Sequence, residues 1–268
     1  MKLDGTRILL TGAGGGIGSH VARLLSNQGA KLALIGRSYS SLEETISKMG
    51  PINEQPLILA ADMLDAKARN AAVDQAVSYL GGIDLLINNA GLMSFRPFSE
   101  EDPEVINRIV QLNTLVPMQL SRRLLPLMLD QGSGRIVNVG STFGSIAFAY
   151  FATYSTSKFG LRGFSEALRR ELAHTGIGVT YIAPRAVKTK LNSSVVYRMA
   201  ESIKMNMDEP DWVAAKIVKA IEKERKDVYL GFTESLFVRI NSLFPRLIDR
   251  AMIKQNLKIM DFAKEGAS

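Results

Sequence analysis

Tyr154 and Lys158 stand four residues apart in Thr153-Tyr154-Ser155-Thr156-Ser157-Lys158. On a helix, that spacing puts a phenol and an ammonium on one face. A phenol ionises near pH 10, too high to pass a proton freely at neutrality. An ammonium about 4 Å away, at an effective dielectric near 20, contributes about 4 kcal/mol, or about three pK units. The pair is therefore expected to bring Tyr154 toward neutrality, where a proton shuttle works best. Such a group suits a reaction that delivers hydride to a carbonyl carbon and a proton to its oxygen. The positive charge of an oxidised nicotinamide would push the phenol the same way. Ser141 lies 13 residues before Tyr154, just past an apolar run. It would bond the substrate oxygen and fix its position.

These groups need elements to hold them. Short apolar runs at 7–11, 31–35, 57–60, 83–88, 135–139, 178–183 and 227–230 alternate with amphipathic stretches at 18–27, 39–49, 65–80, 103–129, 153–174 and 211–226. The runs lack strict alternation, as strands buried on both faces do. Strand then helix, repeated, predicts right-handed crossovers and a parallel sheet. The expected fold is α/β: a doubly wound (Rossmann) sheet of seven parallel strands with helices on both faces, plus a C-terminal helical extension. Residues 1–231 are expected to form the dinucleotide-binding and catalytic domain. Residues 232–268 form the extension. In such sheets ligands sit beyond the carboxyl ends of the strands, where Ser141 falls.

The first apolar run enters Thr11-Gly12-Ala13-Gly14-Gly15-Gly16-Ile17-Gly18, with five glycines in seven positions. Between a strand and a helix, this loop reads as a phosphate cradle closed by the helix N-terminus. It lacks the Gly-Lys-Ser/Thr ending of a triphosphate loop. The second run ends Ile35-Gly36-Arg37-Ser38. An NAD site usually places an acid there. Arg37 instead offers a guanidinium fork to a 2′-phosphate, with Ser38 as an extra donor, so NADP(H) is the expected cofactor.

Composition narrows the field. The 268 residues include no cysteine and two histidines, which argues against a thiolate or histidine-rich metal site, a disulfide scaffold and a cysteine nucleophile, and no metal is expected. The formal charge of +7 points to polyanionic neighbours such as phosphorylated cofactors or acidic lipid. No nucleic-acid motif accompanies it. Gly140-Ser141-Thr142-Phe143-Gly144 has its serine in the second position, not the middle of a hydrolase elbow. His174 reads as a charge at a helix end and His20 as an ordinary helix residue. Asp4 spoils a signal peptide, and no run reaches about 18 apolar residues. A cytoplasmic protein is expected.

Asn113 sits in an apolar helical pattern with Pro117 four positions later. Proline has no N–H for the Asn113 carbonyl, so a bend and a free carbonyl are expected there. Together, Thr11-Gly12-x-x-x-Gly16-x-Gly18, Asn88-Asn89-Ala90-Gly91, Asn113, Ser141 and Tyr154-x-x-x-Lys158 occur in an order that resembles the short-chain dehydrogenase/reductase family. The resemblance runs from about residue 5 to 231, and it implies a substrate lid at about 186–210. It implies Tyr154 as acid/base, Lys158 as its modulator and ribose ligand, Ser141 as substrate orienter and Asn113 as the anchor of a relay water. It places Asp62 and Met63 beside the adenine, Asn89, Ala90 and Gly91 on the adenosine side, and Thr189 at the nicotinamide carboxamide, with Pro184 and Val187 also against the cofactor. A homodimer or homotetramer through the helices at 103–129 and 153–174 is implied by the same analogy. The family commonly has Pro-Gly where this chain has Pro184-Arg185. Arg185 is expected to turn outward to solvent, with attraction of an anionic substrate group as the alternative.

Phe143, Ile146, Phe148, Tyr150, Tyr197, Met199, Met205 and Met207 suggest an adaptable apolar pocket. The expected substrate is a hydrophobic ketone or secondary alcohol, lipid-like, acyl or steroid-like. A catalytically silent NADP(H)-binding scaffold is the alternative. In 234–262, Leu236, Ile240, Leu243 and Leu247 follow helical spacing, and Pro245 should divide two helices. Arg246, Arg250, Lys254 and Lys258 form a basic ridge opposite Leu247, Ile248, Met252, Ile253, Leu257 and Met260. This pattern suits packing over the cleft or peripheral contact with the inner face of an anionic membrane.

Overall fold

The computed structural model describes residues 1–51 and 54–266. Seven strands lie parallel in the order β3-β2-β1-β4-β5-β6-β7. They are β1 (Arg7–Thr11), β2 (Lys31–Gly36), β3 (Leu57–Ala60), β4 (Leu85–Asn88), β5 (Gly134–Val139), β6 (Ile177–Ala183) and β7 (Asp227–Tyr229). The chain winds from β1 outward to β3, then returns to β4 and winds the other way. A crevice therefore opens where the carboxyl ends of β1 and β4 part.

Helices cover both faces. Alternation along the strands explains the continuous apolar runs. Ile8 and Leu10 point to one core with Val21 and Leu25 of α1 (Gly16–Ser26), Leu42 of α2 (Tyr39–Ser47) and Ile217 of α8 (Pro210–Glu222). Leu9 points to the other, with Val73 of α3 (Ala66–Leu80), Leu120 of α5 (Val116–Asp130) and Leu168 of α6 (Ala152–Glu171). The expected fold class is therefore seen.

Three details go beyond the expected pattern. The stretch at 103–129 is divided into α4 (Pro103–Val110), a wide π turn (Gln111–Leu115) and α5. Pro117 is the cause: it cannot donate to Asn113, and the Val116 N–H instead reaches back to the Gln111 carbonyl. The lid contains a helix, α7 (Ser194–Ser202), capped by the Ser193 hydroxyl. His174 lies beyond the end of α6, whereas His20 falls inside α1 as expected. After β7, Pro245 separates α9 (Phe232–Leu243) from α10 (Pro245–Glu265), as its position in the sequence suggests.

Candidate active site

The glycine loop is braced from below. Gly12 has φ +68°, and a Cβ there would lie 2.9 Å from the Ala90 backbone. The Asn89 amide donates to the Thr11 and Gly12 carbonyls at 3.2 Å each, so Asn89 holds the loop as well as lining it. The Thr11 hydroxyl accepts from the Asn89 and Ala90 N–H groups. Gly15 caps α1 without a side-chain bond, and the first turn holds no acid. The N–H groups of that turn, with Gly16, Ile17 and Gly18, remain open to an anion, so a dinucleotide pyrophosphate fits. Gly14 packs on Ser41, and Gly16 packs on Thr189, which brings the lid to the loop.

The residues expected at the 2′-phosphate and the adenine follow β2 and β3. Arg37 and Ser38 are exposed at the end of β2. Ser38 caps α2 by accepting from the Ser41 N–H and bonds the Ser40 hydroxyl. Asp62 is exposed beyond β3, with its carboxylate on the Leu64 N–H, while Met63 is buried.

Ser141, Tyr154, Pro184, Val187, Thr189 and Ile17 line one cleft of about 650 Å³, its open mouth included. Lys158, buried one helical turn after Tyr154, donates to the Val139 carbonyl at 3.0 Å. Its Nζ lies 5.7 Å from the centre of the Tyr154 ring. The Asn113 side chain binds both backbone groups of Leu92 at 2.8 Å and the Ser157 hydroxyl at 2.9 Å. The wide turn is thereby fixed to α6. A Cβ on Gly91 would sit 3.3 Å from Asn113 Oδ1 and 3.8 Å from Lys158 Nζ, so these three residues meet.

The electrostatics correct the expected acidity of Tyr154. Burial pushes its phenol up to about 12, only partly opposed by hydrogen bonding with Ser141. Burial likewise pushes the Lys158 ammonium down to about 8. Both groups leave water, and desolvation penalises each charged form. In the protein alone, Tyr154 is a firmly protonated acid beside a cation that is charged below about pH 8.

Several contributors were not singled out from sequence. Tyr181, fully buried on β6, donates to the Ser141 carbonyl at 3.1 Å and lies 3.4 Å from its N–H. A side chain at Gly140 would overlap the Tyr181 ring, and one at Gly144 would overlap the Tyr181 hydroxyl and the Lys158 carbonyl, which accounts for the glycines on either side of Ser141. Ser145, at the end of the same loop, is held by Tyr229, Arg162 and Asn241. The buried Glu101 carboxylate accepts from Ser94 and Thr153 and lies 3.5 Å from Arg96, which secures the start of α6. The only sequence signal for Tyr181 is an aromatic ring in an aliphatic strand.

Arg185 takes neither expected course. It pairs bidentately with Asp208, at 2.9 and 2.7 Å, and with Glu234 at 3.0 Å. Those bonds raise its already high pKa further. Asp208 ends the lid, where its backbone bonds Ala186 and Lys188. Glu234 belongs to α9. Arg185 thus joins the lid's base to the C-terminal hairpin.

The apolar wall is an aromatic cluster. Phe143 stacks on Phe148 with centres 5.2 Å apart and meets Tyr154 edge-on at 6.2 Å. Val196 and Met199 of α7 and Ile259 and Ala263 of α10 complete the cluster.

The sequence profile of the short chain dehydrogenases matches residues 6–199. The chain belongs to that family. It is 33% identical to a ketoacyl reductase, HetN, from a Nostoc species, over 99% of this chain and 93% of that protein. It is 30% identical to the mouse dehydrogenase/reductase SDR family member 7B, over 94% of this chain and 81% of that protein. Among solved structures it resembles the 3-ketoacyl-(acyl-carrier-protein) reductase of Brucella melitensis, crystallised with NADH. That likeness has a TM-score of 0.77 and 27% identity, and covers 85% of this chain and 97% of the other. This short-chain dehydrogenase is an oxidoreductase that moves hydride between a nicotinamide and a carbonyl or alcohol carbon.

Proposed function

We propose that the protein reduces a hydrophobic ketone with NADPH, and that Tyr154 supplies the proton to the carbonyl oxygen. The arrangement of Tyr154, Ser141 and Lys158 at one wall of an apolar cleft carries this reading. The bound dinucleotide supplies hydride. Ser141 hydrogen-bonds the substrate oxygen and orients it. Tyr154, kept protonated by burial, donates to that oxygen. Lys158 binds the ribose and stabilises the phenolate that donation leaves. Asn113 fixes the wide turn beside Lys158 and anchors the water that returns the proton.

Gly12, Gly14, Gly15, Gly16, Ile17 and Gly18 hold the pyrophosphate. Asp62, Met63, Asn89, Ala90 and Gly91 take the adenosine side, and Pro184, Val187 and Thr189 the nicotinamide side. Arg37 is exposed and pairs with no carboxylate among the described residues, which supports its reading of the 2′-phosphate. The lining of Phe143, Phe151, Val196, Met199 and Met205 supports a lipid-like, acyl or steroid-like substrate. Exposed Leu115, Met118, Leu129 and Phe159, on the π turn, α5 and α6, support a homodimer or homotetramer. We assign the protein to the cytoplasm, at the surface of a membrane.

Purified protein tests this with NADPH and a panel of ketones, steroids and 3-oxoacyl thioesters. Loss of reduced-nicotinamide absorbance with a lipophilic member is expected. Tight NADPH binding without oxidation across the panel would instead mark a cofactor-binding scaffold.

A further inference from the structure

The outer face of the α9–α10 hairpin interleaves exposed apolar side chains with cations. Some surface cations elsewhere pair with acids, among them Arg123 with Asp74, Arg169 with Asp227, Arg170 with Glu166, and Lys188 with Glu209. On the hairpin, Arg239, Arg246, Arg250, Lys254, Lys258 and Lys264 pair with no carboxylate among the described residues. The hairpin's own acids Glu234 and Glu265 are engaged by Arg185 and Arg198. Asp249 and Asp261 are left to face six cations.

Apolar side chains stand among those cations. At about 100° per residue, Ile248, Met252, Ile259 and Ala263 share the inner side of α10. Leu247, Ile253 and Leu257 fall on the outer side with Arg250 and Lys254. The structure thus corrects the expected single apolar face: Ile248, Ile259 and Ala263 are buried, whereas Leu247, Ile253 and Leu257 are 59%, 55% and 62% exposed. At the corner, Leu243 and Phe244 are 73% and 61% exposed, and Leu236 and Phe237 continue the surface onto α9. Water gains nothing from this surface, and a second copy of the same face would set like charges against each other. Interleaved cations and aliphatic tips suit an interface with anionic headgroups above and acyl chains below.

We propose that the α9–α10 hairpin docks on an anionic lipid bilayer through this outer face while its inner face packs against the aromatic wall of the substrate cleft. No helix among the described residues is long and apolar enough to cross a membrane, so the contact is peripheral. The 21-residue α10, about 31 Å long, lies along the surface. The hairpin is tied to the lid at Arg185–Glu234 and Arg198–Glu265, and α10 packs on α7. The docked element is therefore continuous with the wall of the cleft, and a bilayer-dissolved ketone meets the enzyme there. The entry of substrate rests on the hydrophobic-ketone reading above; the docking does not.

Full-length protein should co-sediment with vesicles of phosphatidylcholine mixed with phosphatidylglycerol. It should not do so with phosphatidylcholine alone, and high salt should release it. Each cation near such a surface contributes about fivefold to partitioning. Combined Arg250→Glu, Lys254→Glu and Lys258→Glu substitutions should therefore weaken binding at least about 100-fold, and Leu247→Ser with Leu257→Ser should weaken it as well. NADPH binding by both variants serves as the folding control. Failure of the wild type to bind anionic vesicles would overturn the proposal. So would full binding by folded charge variants, or a dimer that these variants dissociate while vesicles are ignored. Vesicle binding by a protein that oxidises NADPH with no ketone would keep the docking and reject the substrate reading.

Discussion

Replacing Arg185 with methionine removes the guanidinium and keeps most of the apolar stem. Three charge-assisted bonds go with it: two to Asp208 and one to Glu234. Charge-assisted bonds are worth about 1.5–3 kcal/mol each, which sets the upper bound. The Arg185 and Glu234 side chains are about a quarter exposed and Asp208 is 10% exposed, so water screens part of the loss. Two carboxylates are also left facing each other in a poorly solvated corner. A net destabilisation of about 2–4 kcal/mol follows, or a fall of about 5–15 °C in Tm for a chain of this size. Urea unfolding followed by tryptophan fluorescence and calorimetry measures it. Because the pair fastens the lid, KM for a lipophilic ketone should rise while NADPH affinity holds. Adding Asp208→Asn and Glu234→Gln should recover more than half of the lost stability, since no uncompensated charge then remains. A folded Arg185→Met protein with Tm within about 2 °C of wild type and an unchanged KM would refute the clamp.

Three other outcomes are expected. With NADPH varied at saturating ketone, kcat/KM should fall as pH rises through about 8, because Lys158 is charged below that value and neutral above it. Lys158→Arg should move that limb to higher pH, and a wild-type profile flat well beyond 8 would contradict the assignment. Tyr181→Phe removes one of two donors to the buried Ser141 carbonyl, which keeps the Gly144 N–H, so stability should fall by about 0.5–1.5 kcal/mol and kcat should fall with NADPH affinity unchanged; wild-type values in both denaturation and turnover would remove Tyr181 from the positioning of Ser141. Arg37→Asp should weaken NADPH far more than NADH in fluorescence titrations, and an unchanged preference would show that the 2′-phosphate is read elsewhere.

Local chemistry made much of this protein legible. Strands buried on both faces leave unbroken runs such as Ile8-Leu9-Leu10, and the glycine loop marks the crevice. Pro117 announced the interrupted helix, although not that a π turn would absorb it. What escaped depends on distant partners. Arg185 meets Asp208 and Glu234 only through the tertiary fold, and nothing in its neighbourhood names them. Tyr181 sits in an aliphatic strand and acts on a loop 40 residues earlier. The direction of the Tyr154 shift depends on burial, which spacing alone does not show. On α10 the basic ridge was plain, but which aliphatic side chains turned outward depended on where α7 and the aromatic cluster pack.

Tyr154→Phe tests the proton donor most directly, because it deletes one hydroxyl and leaves the ring in the aromatic wall. NADPH affinity, read by fluorescence, should stay at the wild-type value, while the single-turnover rate of ketone reduction should fall by about 100- to 10,000-fold, the usual contribution of a positioned acid. A phenylalanine enzyme that binds NADPH normally and still reduces the ketone at the wild-type rate would contradict the account.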